Sequence, residues 1–291
     1  MKSAPFDYSK PKSVHQAIAL LQQYGDDARI LAGGQTLIAT LNMRLSEPSL
    51  VIDISGLDEL RGISLEGDFV RIGAMATHTE IEDSDLIKEF APLLSTAAPY
   101  IAHRAIRNRG TWGGSIAYAD PAAEWPTCLL ALNGSVRLLG PNGERIIAVD
   151  DFFTGLYTTA IEPDEILISC DIPIAKSSHW YAFEELARRH GDYAIVGMAA
   201  SANKEGDRLG QPRIVLLGVD TTPVRATKTE ALLDGKRMTE EVIAQAEACL
   251  RTEIDPLPDL TNSPDTKRHL AAVLLKRILS SAQSKTENNC E

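Results

Sequence analysis

Two short segments of this sequence combine adjacent glycines with polar side chains, a combination suited to binding an anion. In the first, an apolar run from Ile30 leads into Gly33 and Gly34, and then into Gln35 and Thr36. Adjacent glycines let the chain turn sharply and leave no Cβ in the way of a ligand, so several backbone N–H groups can converge on one negative group. The same residues could also form a strand-ending turn without a ligand.

The second segment repeats this chemistry later in the chain, with Thr111, Gly113, Gly114 and Ser115. Two such loops favour one long ligand held at two places, such as the pyrophosphate of a dinucleotide. Neither loop has the spaced glycines of the Rossmann fingerprint or the lysine of a phosphate-binding loop. A dinucleotide bound here would therefore not lie in a Rossmann fold.

Two further groups could complete such a site. Asp120 and Glu124 would share one face of a helix start and could accept hydrogen bonds from sugar hydroxyls, or they could be ordinary N-terminal helix acids. The segment 188–193 could place Tyr193 against a flat cofactor, or it could be a turn with solvated charges. No serine or cysteine has a histidine at a motif spacing. A bound cofactor is therefore expected to carry any reaction.

Composition restricts the class of protein. The chain has 291 residues, a formal net charge of −11 and 44 % hydrophobic residues. This acidic excess argues against nucleic acid as a main partner. No run approaches the roughly 18 apolar residues of a membrane span, and no apolar signal segment begins the chain. The four cysteines are widely spaced and the histidines form no paired motif. We therefore expect no metal site and a cytoplasmic location.

The spacing of apolar residues predicts alternating helices and strands. Ser13 and Gln16 have the spacing of a helix N-terminal cap, and Pro141-Asn142-Gly143 predicts a hairpin turn. Helices are expected over 13–25, 36–45, from Thr79, over 86–102 with breaks at Pro92 and Pro99, and over 124–133, 239–250 and 264–282. Strands are expected over 29–32, 50–54, 69–73, 135–139, 144–149, 165–172, 180–186, 195–202 and 213–219.

Four segments, taken in order, resemble the FAD-binding medium subunit of the molybdenum hydroxylases, the xanthine dehydrogenase and carbon-monoxide dehydrogenase family. They are 32–37 (Ala-Gly-Gly-Gln-Thr-Leu), 106–114 (Ile-Arg-Asn-Arg-Gly-Thr-Trp-Gly-Gly), 151–155 (Asp-Phe-Phe-Thr-Gly) with Tyr157, and 188–194 (Arg-Arg-His-Gly-Asp-Tyr-Ala). Relatives often carry histidine where this chain has Tyr118, and isoleucine or valine where it has Trp112. The bulkier Trp112 is expected to press on the flavin or on a neighbouring helix.

The resemblance spans nearly the whole chain and implies a fold of the α+β class. It implies a vanillyl-alcohol-oxidase-like (PCMH-type) FAD-binding region of two α+β subdomains, followed by a smaller C-terminal α+β domain. In this sequence the expected parts are subdomain 1 over 1–55, subdomain 2 over 56–176, the C-terminal domain over 177–283 and a tail over 284–291.

The resemblance also implies how FAD is held. The two Gly-Gly loops would bind its pyrophosphate through backbone amides, and two acids would bond to its ribityl and adenosine side. Two apolar residues would contact it, and a tyrosine would lie near the isoalloxazine ring. The expected set is Leu31, Ala32, Gly33, Gly34, Gln35, Thr36, Leu37, Ile101, Thr111, Gly113, Gly114, Ser115, Asp120, Glu124, Leu167 and Tyr193. No catalytic residue and no metal ligand is expected in this chain.

A subunit of this family would accept electrons from 2Fe-2S clusters on a small partner subunit and pass them from FAD to an external acceptor. A large partner subunit would oxidise the substrate at a molybdenum-pterin cofactor, and the complex is expected to be a dimer of heterotrimers. Two alternatives stay open. One is a standalone flavin-dependent oxidoreductase of the same flavin fold, which needs its own substrate pocket. The other is a non-catalytic nucleotide-binding protein, which would purify without flavin.

Overall fold

The fold is described by a computed structural model, which confirms the expected α+β class. It describes residues 2–175 and 178–287, without the side chains of 284–287. The expected domain boundary between residues 176 and 177 lies outside the described residues. Within them, the strands form three larger sheets and one two-stranded ribbon. No helix of the described part is long and apolar enough to cross a membrane.

Residues 2–60 form a small α/β layer. Ser13 caps its first helix by accepting a hydrogen bond from the Gln16 amide at 3.2 Å, as the spacing predicts, and Gly25 ends the helix with a φ of +53°. The second helix is shorter than expected because Arg44 turns the chain with a φ of +58°. The elements are β1 (Asp7–Ser9), α1 (Val14–Tyr24), β2 (Ala28–Leu31), α2 (Leu37–Asn42) and β3 (Leu50–Asp53), with 3₁₀ turns at Gly25–Asp27 and Asp58–Leu60.

The three strands pair in parallel in the order β1-β3-β2. Strand β3 is buried along its whole length and lies in the centre, which agrees with its unbroken apolar run. Strand β1 has only three residues and is mostly exposed, so the sequence has no apolar periodicity that would predict it. Parallel strands end at the same edge of a sheet. Gly33 and Gly34, which follow β2, therefore lie at that edge beside the end of β3.

The second part combines an antiparallel sheet with six helices packed beside it. Its strands pair in the order β4-β5-β10-β6-β7, and the predicted hairpin at Pro141-Asn142-Gly143 joins β6 to β7. The elements are β4 (Ile63–Glu66), β5 (Phe69–Gly73), α3 (His78–Asp83), α4 (Asp85–Phe90), α5 (Pro92–Ala97), α6 (Arg104–Arg107), α7 (Trp112–Tyr118), α8 (Glu124–Ala131), β6 (Ser135–Gly140), β7 (Gly143–Ala148), β8 (Phe153–Gly155), β9 (Thr158–Thr159) and β10 (Ile166–Pro173), with 3₁₀ turns at Ala98–Tyr100 and Val149–Asp151.

One helix cap and one loop expected in this part need adjustment. The cap expected near Thr79 is Thr77: the Thr77 hydroxyl accepts from the Glu80 amide while the Glu80 carboxylate accepts from the Thr77 amide. The helical stretch over 86–102 breaks as the prolines predict, with Pro92 at the first position of α5. The segment 111–115, expected as a loop, lies at the start of α7.

The last part is an antiparallel sheet covered by helices. Its strands pair in the order β11-β12-β13-β14, and β15 pairs with β13. The final helix continues past the expected end at Ala282, so residues 284–287 of the expected tail are helical and only 288–291 lie outside the described residues. The elements are β11 (His179–Leu186), β12 (Val196–Glu205), β13 (Arg208–Leu217), β14 (Val224–Arg225), α9 (Thr227–Leu233), β15 (Lys236–Arg237), α10 (Glu240–Glu253) and α11 (Pro264–Glu287).

Both faces of this last sheet are buried, and they belong to different cores. Met198, Ile214 and Leu216 face α10 and α11 in one hydrophobic cluster. Alternate residues of the same strands, such as Ala199 and Val215, face the second part and share its core. The two regions therefore join through packed apolar side chains.

Candidate functional site

The first Gly-Gly loop leaves a row of backbone N–H groups unused. After β2 ends at Leu31, the chain turns through Gly33 and Gly34, and Gly34 has a φ of +75°, a conformation that favours glycine. No described residue accepts a hydrogen bond from the backbone N–H of Gly33, Gly34, Gln35 or Thr36. Four neighbouring free donors in a turn are suited to hold an anion.

The two glycine segments lie against each other. An ideal Cβ placed on Gly33 would lie only 2.1 Å from the carbonyl oxygen of Arg109, in the turn before α7. One placed on Gly114 would lie 3.7 Å from the Cβ of Ala32. The backbone at Gly33 thus touches the backbone that leads into the second segment. The sequence prediction that both segments serve one site agrees with this contact.

The second segment contributes glycines that allow close packing, and most of its backbone amides are already hydrogen-bonded. The amides of Trp112 and Gly113 donate to the carbonyls of Ala76 and Ala74, both at 2.8 Å. The Gly114 amide donates to the Thr111 hydroxyl, which caps α7. A Cβ on Gly113 would lie 2.5 Å from the Cβ of Ala74, so glycine lets α7 approach the end of β5. The unused donors are therefore found in the first loop.

A cavity of about 460 Å³ opens beside the first loop. Glycines and Gln35 form one side, and polar side chains from the end of β3 and from α2 form the other. Its wall consists of Leu31, Ala32, Gly33, Gly34, Gln35, Ile38, Ala39, Asn42, Asp53, Ser55 and Arg109. The last six of these were not predicted. The signal for them is tertiary, since only the parallel pairing of β2 with β3 brings Asp53 and Ser55 to this edge.

The predicted acids lie in a group of tyrosines beyond α7. Asp120 precedes α8 in a turn, where its carboxylate accepts from the Ala122 amide at 2.9 Å, and Glu124 is the first residue of α8. The two acids thus do not share one helix face, as the sequence spacing suggested, but their charges interact. Burial, with the charge of Asp120, raises the pKa of Glu124 to about 7, and burial also raises the pKa of Asp120.

Tyr193 faces the same group from the chain after β11. It is 68 % exposed, yet loss of water around its hydroxyl, followed by the charge of Asp120, raises its pKa to about 12. The rings of Tyr118 and Tyr157 lie nearby, tilted by 52° to each other with centroids 5.0 Å apart. An exposed aromatic ring next to carboxylates and hydroxyls can bind a flat polar ring.

The two predicted apolar contacts belong to the core beside the site. Ile101 is 8 % exposed and Leu167 is 5 % exposed, and both lie in the same hydrophobic cluster. The Ile101 carbonyl accepts a hydrogen bond from the buried Arg107 guanidinium at 3.0 Å. Arg107 also binds the Ala102 carbonyl and the Glu82 carboxylate, so one buried side chain fixes the turn at Ile101. Sequence reasoning did not single out Arg107.

Comparison with known proteins matches both regions to one family. Residues 4–175 match the FAD binding domain in molybdopterin dehydrogenase, and residues 181–282 match the CO dehydrogenase flavoprotein C-terminal domain. The chain therefore belongs to the family of FAD-binding subunits of molybdenum hydroxylases. The resemblance seen in the sequence is confirmed, and the protein is an oxidoreductase subunit whose cofactor is FAD.

Individual relatives cover almost the full chain. The carbon monoxide dehydrogenase medium chain of Hydrogenophaga pseudoflava is 38 % identical over 95 % of this chain and 96 % of its own. The caffeine dehydrogenase subunit beta of a Pseudomonas species is 35 % identical over 97 % of this chain and 96 % of its own. The solved structure of the Hydrogenophaga pseudoflava carbon monoxide dehydrogenase superposes with a TM-score of 0.95 and covers 98 % of this chain and 99 % of that one.

The residues on this chain fit FAD. The four unused N–H groups of the first loop suit the negative pyrophosphate, and the carboxyl groups of Asp120 and Glu124 suit sugar-like hydroxyls. Trp112, the departure from the family pattern, is fully buried and packs on Trp125 of α8 with ring centroids 5.3 Å apart. It therefore presses on a neighbouring helix, the second of the two expectations.

A buried histidine supports the second glycine segment. His78 is 6 % exposed and accepts a hydrogen bond from the Trp125 indole at 2.9 Å. A Cβ on Gly110 would lie 2.6 Å from its Nε2 atom, so the turn before α7 rests on this ring. Burial, with the charge of Arg107, lowers the pKa of His78 to about 4, and the ring is neutral at pH 7.

Acidification is expected to destabilise the protein through His78. An unfolded histidine gains its proton near pH 6.5, whereas the folded one resists it until about pH 4. The unfolded state therefore binds more protons between these values, and about 3 kcal/mol of unfolding free energy is lost as the pH falls from 6.5 to 4. Unfolding in denaturant at several pH values measures this loss. The difference between wild type and His78→Gln should change with pH, while His15→Gln, on the exposed side of α1, should follow wild type throughout.

Proposed function

We propose that this chain is the FAD-carrying medium subunit of a molybdenum hydroxylase complex. It accepts electrons from 2Fe-2S clusters of a small partner subunit and passes them from FAD to an external acceptor. The observation that carries the proposal is the row of four unused N–H groups at 33–36, held against the second glycine segment in a chain of this family.

Each part of the site has a stated task in this proposal. The N–H groups of Gly33, Gly34, Gln35 and Thr36 hold the pyrophosphate, with Leu31, Ala32 and Leu37 beside them. The glycines and hydroxyls over Thr111–Ser115 let α7 close on the first loop. Asp120 and Glu124 bind the ribityl and adenosine side, Ile101 and Leu167 give apolar contacts, and Tyr193 lies near the isoalloxazine ring. Bound FAD supplies the reversible uptake of two electrons.

The partners follow from the same proposal. A large subunit carries the molybdenum-pterin cofactor and oxidises the substrate, a small subunit carries the 2Fe-2S clusters, and the complex is a cytoplasmic dimer of heterotrimers. The relatives support this division of labour: one is named as the medium chain of a carbon monoxide enzyme and another as the beta subunit of a caffeine enzyme. Chains of similar sequence thus serve different substrates, which is expected of a subunit that handles electrons only.

Purification of the tagged full chain from its native host tests the proposal. A visible flavin spectrum together with co-purifying iron and molybdenum, in fixed ratio to the chain, is the expected result. A Gly33→Ala chain, purified in parallel, should lack the flavin signal. Flavin without metals or partner chains would contradict the complex and point to a standalone flavoenzyme. A folded chain without flavin would point to a non-catalytic nucleotide-binding protein.

A further inference from the structure

A buried lysine of the last helix is bonded to the backbone just beyond β13. Lys267 lies in the first turn of α11 and is only 6 % exposed. Its Nζ atom donates a hydrogen bond to the Gly218 carbonyl at 2.8 Å, and the Asp259 carboxylate lies 3.2 Å from the same atom. An ammonium group is rarely buried unless such partners replace the water that it loses. The two contacts therefore fix the Lys267 side chain beside Gly218.

Gly218 is bonded in turn to the segment that carries Asp120. Its backbone N–H donates to the Pro121 carbonyl at 2.8 Å. That carbonyl belongs to the same peptide unit as the Ala122 amide, which donates to the Asp120 carboxylate at 2.9 Å. Three successive hydrogen bonds thus lead from Lys267, through Gly218 and one peptide unit, to Asp120. The turn before α8 is held from the last helix of the chain.

Gly218 also packs on the chain that follows Tyr193. It has a φ of +77°, a conformation that favours glycine. An ideal Cβ placed here would lie 2.8 Å from the carbonyl oxygen of Ile195 and 3.4 Å from that of Ala194. Because these are backbone atoms, Gly218 cannot shift toward Ile195 without moving it. The segments that carry Asp120 and Tyr193 therefore both rest on Gly218.

We propose that Lys267 is a positioning residue for the FAD site, which holds Gly218 in place and thereby fixes Asp120 and Tyr193 relative to the bound cofactor. The statement about FAD rests on the proposed function, because that function places these two residues at the cofactor. The contacts at Gly218 do not depend on it. Through this lysine the C-terminal region sets the geometry around the flavin ring, whereas the loop at 33–36 sets the geometry around the pyrophosphate.

Loss of the ammonium group should weaken FAD binding moderately and change the surroundings of the flavin ring. In Lys267→Met the side chain keeps most of its apolar stem but donates no hydrogen bond to Gly218. The four N–H groups at 33–36 are not affected, so the dissociation constant for FAD should rise by only about tenfold, roughly the value of one hydrogen bond. An aromatic ring close to isoalloxazine quenches its fluorescence, so bound flavin should be brighter when Tyr193 is displaced.

Two measurements on the full chain test the proposal: fluorescence titration with FAD, and thermal unfolding without FAD. Lys267→Met should show the weaker affinity, the brighter flavin at full loading and a lower melting temperature. Lys276→Met is the matched control, because it removes the same side chain from the same helix, where Lys276 is 64 % exposed and lies 3.7 Å from Glu247. It should reproduce wild type in both measurements.

A second control, Asp259→Asn, separates positioning from stability. The new amide oxygen can still accept from the Thr261 and Asn262 amides, as the carboxylate does, and Lys267 keeps its bond to Gly218. The buried ammonium group loses only its charge partner, so the melting temperature should fall. The affinity for FAD and the brightness of the bound flavin should stay as in wild type.

A folded Lys267→Met chain with the affinity and the flavin fluorescence of wild type would overturn the proposal. Equal cofactor effects in Asp259→Asn would also overturn it, because they would follow from stability alone. If Lys267→Met does not fold, Lys267→Gln replaces it with the same expected result, since its side chain is one atom too short to reach Gly218. Absence of FAD binding in wild type would instead contradict the proposed function.

Discussion

Replacement of Gly33 by alanine is expected to abolish FAD binding. The new Cβ would lie 2.1 Å from the carbonyl oxygen of Arg109 and 2.9 Å from the Cα of Gly110, both backbone atoms that cannot turn aside as a side chain could. The first loop must then separate from the turn before α7, and the arrangement of its four free N–H groups changes. We expect affinity for FAD to fall by at least about a hundredfold, roughly the value of two charge-assisted hydrogen bonds.

Flavin content and circular dichroism of the purified variant measure this effect and show whether the fold persists. Gly210→Ala is the matched control, because its Cβ would meet only ordinary contacts at 3.9 Å on Asn203, in the C-terminal sheet. It should retain flavin in full. A folded Gly33→Ala chain with full flavin content would show that the contact between the two glycine segments is not needed for the cofactor.

The parts of this site that the sequence predicts are those in which a local pattern is also the structural cause. Gly33 and Gly34 follow an apolar strand, and the turn that their lack of a Cβ allows is the one observed. Ser13, with the apolar residues after it, predicts α1 because an N-terminal cap and an amphipathic face are both local features. The short strand β1 lacks any such pattern, and it exists only because β3 offers an edge to pair with.

The second glycine segment was found from its sequence, but its backbone amides are not free as the sequence suggested. The sequence around Gly113 resembles the first loop, which suggested a second set of free amides. In the structure the Thr111 hydroxyl caps a helix, and the amides of Trp112 and Gly113 bind carbonyls at the end of β5. Those carbonyls are distant in sequence, so the pattern alone could not indicate that the donors are used.

Charged residues of the interior were the least predictable. No motif involved His78, and Arg107 lies in a charged segment of the kind that is usually solvated. Their importance arises from what packs on them: Gly110 on His78, and the turn at Ile101 on Arg107. Each partner is remote in the chain or on another element, so a single sequence has no periodicity that marks these two positions.

Replacement of Arg107 by alanine is expected to have the largest effect on stability. Its guanidinium binds the Glu82 carboxylate at 2.8 Å and the carbonyls of Ile101 and Ala102 at 3.0 and 3.1 Å, and the residue is 8 % exposed. Removal leaves two buried carbonyls without this donor and leaves Glu82 with Arg104 as its remaining ion-pair partner, at a cost of about 2–5 kcal/mol in unfolding free energy. Urea unfolding of the FAD-free chain measures the loss.

Arg104 is the control that the chain itself supplies. It lies in the same helix, α6, and binds the same Glu82 carboxylate at 3.0 Å, but its side chain is 48 % exposed. Water can replace its bonds, so Arg104→Ala should cost far less than Arg107→Ala, although both remove one positive charge beside Glu82. Equal losses would mean that the charge matters and the buried contacts with Ile101 and Ala102 do not.

The Arg107 variant should also weaken the flavin site at a distance. Gly191 packs on the turn that Arg107 holds: a Cβ there would lie 2.6 Å from the His103 ring and 3.2 Å from the carbonyl carbon of Ala102. Tyr193 follows two residues later. If the turn relaxes, Tyr193 loses its support, and FAD fluorescence should be less quenched in Arg107→Ala than in Arg104→Ala at full cofactor loading. The same quenching in both variants would show that Tyr193 is positioned independently of this buried arginine.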